Sequence, residues 1–330
     1  MNMKKVLIIG YFWPYIIGGG RIIELANHLH HFGWKPIILT TPLSQEINDH
    51  KFKVVEVPFK GDIFEVWRKI FIKILKVSTK RSISVQIKEK IGISNRKSYL
   101  DFLFNTYREV FGYPDTEKGW KSPALQSARK IIEEEQIDAI ISTYPMISHI
   151  IAEELRKVYR IPWIADFPDL WSQNHNYPYG RIRKWFDEKV EIKTLKYADV
   201  LTTVSQPWAN KLKLIHKHEK IYSITHGFDP KIVNHPPTPL SNKFIITYTG
   251  RIYAEMQDPE PFFAAIKELI LEEVIDSAKL EIRFYGDREP WLQILIEKYN
   301  LTHIVRLYDR LQKSSIVEKQ RESQLLLLLG

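Results

Sequence analysis

The chain predicts an α/β protein made of two parallel-sheet domains, and three observations carry that expectation. Apolar runs without alternation, at 6–9 and again at 244–248, have the pattern of strands buried on both faces. Each is followed by a glycine-bearing loop, a helical pattern and another strand, the order of crossover-linked parallel sheets. This opening occurs twice, first with Gly18-Gly19-Gly20 and then with Gly250-Arg251. The proline-rich polar stretch 233–242 lies just before the second opening and is the expected linker. The expected boundaries are therefore 1–232 for the first domain, 233–242 for the linker and 243–330 for the N-terminal part of the second. The two domains are expected to face a shared cleft.

The first strand ends at Gly10, and a helix with apolar spacing runs from Arg21 past Leu29 to Gly33. Triple glycine lets backbone N–H groups approach a ligand, and the helix N-terminus behind it favours anions. A tight turn with no ligand fits the same residues, since the spacing is not that of a dinucleotide fingerprint. Strands follow at 35–40 and 54–58. Residues 62–77 place Ile63, Phe64, Trp67, Ile70, Phe71 and Ile74 among Arg68, Lys69, Lys73 and Lys76, an amphipathic basic helix. Such a helix either lies on an anionic membrane or packs its apolar face on the core. The aromatic-rich segment 98–120 is expected to cover the cleft or the acceptor path.

Ser122-Pro123 opens a helix to about 135, a strand at 137–143 ends on Tyr144-Pro145, and a helix at 148–158 carries His149 near its start. The strand 163–165 runs into Asp166-Phe167-Pro168-Asp169-Leu170-Trp171. Two carboxylates beside an aromatic at a strand's carboxyl end sit where open α/β sheets bind ligands. They either orient sugar hydroxyls or, for Asp166 and Trp171, serve a turn and the core. A charged helix at 183–197, a strand at 200–204, a helix from Ser205-Gln206-Pro207 and a strand at 221–224 complete the first domain. The second reads as strand 244–249, helix 259–274, strand 279–285, Gly286-Asp287, helix 289–298, strand 304–308, helix 313–322 and strand 324–329. A pentaleucine strand is expected in the middle of a sheet with more chain after it, so the second domain is expected to be incomplete.

Composition sets further bounds. The 330 residues, 44% hydrophobic, suffice for two ordinary cores. Absence of cysteine excludes disulfides and thiolate metal sites and fits a reducing, cytoplasmic location. The first apolar run is too short for a signal peptide, and no run approaches the ~18–20 residues of a membrane span. The chain therefore reads as soluble, or peripheral on the inner face of the plasma membrane. Net charge is +9, and the stretch 60–97 holds eleven basic against three acidic residues. A local anionic partner, in particular a membrane surface, follows from that clustering. The aromatics there are spaced for one helix face rather than displayed for base stacking, so nucleic acid is not expected.

The glycine run with Glu24-Leu25-Ala26 resembles the opening of family-4 retaining glycosyltransferases of the GT-B fold. His226-Gly227-Phe228-Asp229-Pro230, Thr249-Gly250-Arg251 and Tyr285-Gly286-Asp287 are similar to further motifs of that family. Ser142-Thr143-Tyr144-Pro145 and Asp166 to Trp171 resemble a bacterial subgroup that builds surface polysaccharides. The resemblance implies transfer of a sugar from a nucleotide diphosphate sugar to a glycan or lipid-linked acceptor, with retention and with neither metal nor cofactor. It implies donor contacts from Gly18, Gly19, Gly20, Gly250, Arg251, Gly286 and Asp287. Asp166 and Arg251 would take catalytic roles, and Tyr144, His149, Asp169 and Trp171 would lie on the acceptor side. Two departures stand out. Met256 and Gln257 occupy the region of a usual lysine, and Pro168 replaces a common arginine. The family's acidic pair that grips the donor lies past Gly330, so weak donor binding is expected. The alternatives are a GT-B nucleotide-sugar epimerase and a non-catalytic sugar-nucleotide binder.

Overall fold

The structure is a computed structural model, and it describes residues 3–11, 19–42, 52–59, 109, 112–175, 177, 179–217, 220–228, 238–253, 257–311 and 313–329. The chain divides into two compact units, Met1–Gly227 and Phe228–Gly330. Residues 233–237 of the expected linker, the basic stretch 60–97 and, of the aromatic segment, residues 98–108, 110 and 111 lie outside the described residues.

The first unit holds seven parallel strands: β1 (Lys4–Ile9), β2 (Trp34–Thr40), β3 (Lys53–Glu56), β4 (Ala139–Ser142), β5 (Trp163–Phe167), β6 (Val200–Thr203) and β7 (Ile221–Ser223). Their order is β3-β2-β1-β4-β5-β6-β7. The helices are α1 (Gly19–His28), α2 (Lys121–Glu135), α3 (Met146–Tyr159), α4 (Arg181–Leu195) and α5 (Gln206–Ile215). Period-two side-chain alternation explains why β1 is apolar at every central position. Val6 and Ile8 pack with Ile22 and Ala26 of α1, whereas Leu7 and Ile9 join the larger core with α2 and α3. Both faces are covered, and the strand order reverses beside β1, where β2 lies on one side and β4 on the other.

The second unit holds β8 (Phe244–Thr249), β9 (Leu280–Tyr285), β10 (Val305–Tyr308) and β11 (Leu325–Leu326), all parallel, in the order β10-β9-β8-β11. Its helices are α6 (Glu260–Leu271), α7 (Pro290–Lys298) and α8 (Lys313–Arg321). Phe263, Ile282, Phe284, Leu292 and Ile296 form its core. Order reverses beside β8, so the turn after Thr249 is the switch point of this sheet.

The observed elements match the expected ones to within a few residues. Two differ in a telling way. Helix α2 begins at Lys121, continuing a short 3-10 turn, so Pro123 falls inside the first turn, where its missing N–H costs nothing. The leucine run forms only a two-residue ladder on β8, and Leu325, Leu326 and Leu328 are exposed. No described helix is long and apolar enough to cross a membrane.

Candidate functional site

In the first unit, the expected site residues fall around the carboxyl ends of β4 and β5. Gly18 lies outside the described residues, and Gly19 and Gly20 open α1. The next residue, Arg21, was not singled out by motif, yet it organises this edge. Its Nε lies 3.1 Å from Asp166 Oδ2 and its Nη2 3.0 Å from Oδ1. Its Nη1 donates to the carbonyls of Ile224 (2.5 Å) and Thr225 (3.2 Å). Thr202 Oγ1 donates to Asp166 Oδ1 at 2.6 Å. One guanidinium thus joins the start of α1, the end of β5 and the segment after β7. Asp166 is buried, and both of its carboxylate oxygens are engaged in this clamp.

Tyr144 and Asp169 sit nearer the surface. Burial of its hydroxyl pushes Tyr144 up to about 12, with Asp115, Glu117 and Asp169 adding to the rise. The crowding falls on the hydroxyl, since the residue as a whole keeps 37% of its surface exposed. Asp169 belongs to an exposed residue whose carboxyl group is nonetheless crowded. Desolvation raises its pKa, and the nearby His175 and His226 pull it back down. Asp115 Oδ2 accepts from Ile147 N at 2.7 Å, so a carboxylate from a distant segment caps the start of α3. Phenol, carboxylates and imidazoles gathered at a sheet's carboxyl edge can hydrogen-bond the hydroxyls of a polar acceptor.

His149 and Trp171 are expected on the acceptor side, and both are core residues instead. Trp171 is 4% exposed and packs in the main cluster. His149 stacks on Phe167 with ring centroids 4.6 Å apart, and its Nδ1 meets Ser142 Oγ at 2.7 Å. Trp163 Nε1 donates to the same Ser142 oxygen at 2.7 Å. Complete burial pulls the His149 pKa down to about 3, so the imidazole is neutral. The apolar faces of α3 and β5 claim these rings.

In the second unit, the turns after β8 and β9 pack backbone to backbone. Gly250 has φ +133°, which favours glycine, and its N–H donates to Tyr285 O at 2.9 Å. A Cβ on Gly286 would lie 2.1 Å from Gly250 O, so only glycine fits there. Tyr248 Oη donates to Arg251 O at 3.0 Å and fixes the second turn residue. Below the turns, Tyr285 and Tyr308 stack at 4.7 Å.

Charged side chains crowd this edge. Arg310 grips Asp287 through Nε to Oδ1 (2.8 Å) and Nη2 to Oδ2 (2.9 Å). Arg251 Nε stands 3.7 Å from Asp287 Oδ2, and its guanidinium lies over Tyr253 at 5.1 Å. Arg288 pairs with Asp309 at 3.0 Å. Gln257, in the region where the resembling family has a lysine, accepts from Tyr253 N (3.1 Å) and donates to Leu329 O (3.1 Å), so it folds the loop instead of adding charge. Arg310 lies 59 positions beyond Arg251 in the numbering and carries no local motif, which is why pattern reading missed it. Cations held on fixed glycine turns at a switch point suit an anionic ligand.

Residues 96–232 match the family model described as Glycosyltransferase Family 4. Among curated proteins, none matches the chain in sequence. Several solved structures share its fold. Sucrose-phosphate synthase from Thermosynechococcus elongatus is 12% identical, with 98% of this chain and 74% of that chain covered and a TM-score of 0.62. A glycosyltransferase from Rickettsia africae is 16% identical over 99% of this chain and 73% of that one, with a TM-score of 0.58. A putative UDP-N-acetylglucosamine 2-epimerase from Listeria monocytogenes is 13% identical over 98% and 73%, with a TM-score of 0.54.

Proposed function

We propose that this chain, whose residues 96–232 match the glycosyltransferase family 4 model and whose two parallel-sheet units have the GT-B fold, moves a hexosyl group from a nucleotide diphosphate sugar to a glycan or lipid-linked acceptor. Transfer proceeds with retention at the anomeric carbon and serves the building of a surface polysaccharide at the cytoplasmic side of the membrane. The observation that supports this reading most is the edge of the second unit. There the Gly250 and Gly286 turns bring backbone close, and Arg251 stands beside them at the switch point. In this reading the chain's own guanidinium stabilises the leaving diphosphate, so no metal is required. In the first unit, Tyr144 and Asp169 meet the acceptor, and Asp166 positions Arg21 and the start of α1. The basic segment 60–97 contacts anionic lipid headgroups.

Incubation with a panel of nucleotide sugars, followed by detection of released nucleoside diphosphate, tests the reading. Release that depends on an acceptor is expected. Interconversion of donor without acceptor would instead identify an epimerase, an activity represented among the proteins that share the fold. Silence with every donor would leave a binding protein. Arg251→Ala is expected to weaken nucleoside diphosphate binding by about 1.5–3 kcal/mol, the scale of a charge-assisted hydrogen bond. Unchanged affinity would remove Arg251 from the site. Vesicle binding that needs anionic lipid and fades with salt is expected of the 60–97 contact, and equal binding to neutral vesicles would dismiss it.

A further inference from the structure

We propose that Arg310 is the second cation of the diphosphate site in the second unit, and that the Asp287 carboxylate is a built-in competing anion which an incoming diphosphate displaces. The inference rests on the reading above and adds two roles to it. One carboxylate is shared by two guanidiniums from different strand ends, Arg310 on both oxygens at 2.8 and 2.9 Å and Arg251 on Oδ2 at 3.7 Å. Like charges do not gather on one point unless an anion holds them there.

The three side chains are 37–54% exposed, so their attraction is screened and their partners are exchangeable. The two glycine turns beside Arg251 and Asp287 are tied down by backbone hydrogen bonds. Gly250 N and Gly286 N are bonded to Tyr285 O and Tyr308 O, and Tyr248 holds Arg251 O. The neighbouring Asp309 is taken up by Arg288 and does not occupy Arg310. Side chains that can change partner on a fixed frame make a site in which ligand replaces an internal anion. A diphosphate carries more charge and more acceptor oxygens than one carboxylate, and a guanidinium fork matches it in two-point geometry.

The sign of one substitution separates this inference from ordinary ligand contact. If Asp287 bonded the ligand, removing its charge would weaken binding. If Asp287 competes with the ligand, Asp287→Asn strengthens it. Isothermal titration with inorganic pyrophosphate, UDP and GDP tests this on the wild-type chain and on Arg251→Ala, Arg310→Ala and Asp287→Asn. Arg310→Ala is expected to weaken pyrophosphate and nucleoside diphosphate about tenfold. Asp287→Asn is expected to tighten both by about threefold or more at low salt, the scale of one unit charge acting through water across ~6 Å. That gain shrinks as salt rises. Thermal melts followed by circular dichroism establish that each variant is folded. Wild-type affinity in Arg310→Ala, or weaker binding in Asp287→Asn, overturns the inference while leaving the wider reading intact if Arg251→Ala still weakens binding. A wild-type chain that binds none of the three probes overturns both.

Discussion

The Arg21–Asp166 clamp offers the sharpest test of how the first unit is held together. The two side chains are 9% and 5% exposed, so neither charge is solvated once its partner is gone. Arg21→Met keeps the apolar stem and deletes every donor. Asp166 then retains the Thr202 hydroxyl, and the carbonyls of Ile224 and Thr225 lose a charged donor. Breaking a buried pair from one side costs about 3–5 kcal/mol, most of it the penalty of a stranded charge. Asp166→Asn strands less, because Arg21 keeps its two carbonyl acceptors, and about 2 kcal/mol is expected. The double variant should therefore be better than additive, with a coupling of about 1.5–3 kcal/mol. Urea unfolding followed by tryptophan fluorescence reads the right unit, since Trp120, Trp163 and Trp171 are buried in the first unit's core and Trp291 alone belongs to the second. A loss under about 1 kcal/mol for Arg21→Met, or strict additivity, would show that water reaches the pair and that the clamp is ordinary surface electrostatics.

Three further outcomes are expected. Gly286→Ala puts a methyl 2.1 Å from Gly250 O and should destabilise the second unit by about 1–3 kcal/mol, read as a lower urea midpoint; an unchanged midpoint would mean that the turns part freely. His149 is neutral when folded, with its pKa held near 3 by burial, but takes up a proton below about 6.5 when unfolded, so stability is full above pH 6.5 and falls by about 1.4 kcal/mol per pH unit on acidification towards 3. His149→Gln should flatten that slope between pH 6.5 and 5, and a parallel slope in the variant would exclude His149 as its source. Asp115→Ala removes the acceptor at the start of α3 and should cost about 1 kcal/mol in the same urea assay, whereas no loss would show that solvent caps that end equally well.

Much of this protein is written locally. Apolar runs at β1, β5, β8 and β9 have to be covered on both faces, and Gly10, Gly33, Gly250 and Gly286 mark where strands or helices end, so parallel sheets and their order of elements follow from the residues alone. The Ser205-Gln206-Pro207 start is equally legible, because a cap needs only its own neighbours, and Ser205 Oγ does accept from Trp208 N. Other features depend on partners far along the chain. Arg21 meets Asp166 across 145 positions, and Asp115 caps a helix that begins 31 positions later. Nothing in the immediate sequence announces either. His149 and Trp171 look like site residues because polar rings near strand ends often are, yet the tertiary packing of α3 on β5 draws both inward. Residue type and spacing decide which backbone a segment adopts. Only the packed sheet decides which side chains share a dielectric, and so which charges are paired, which rings are buried and which groups are left to meet a ligand.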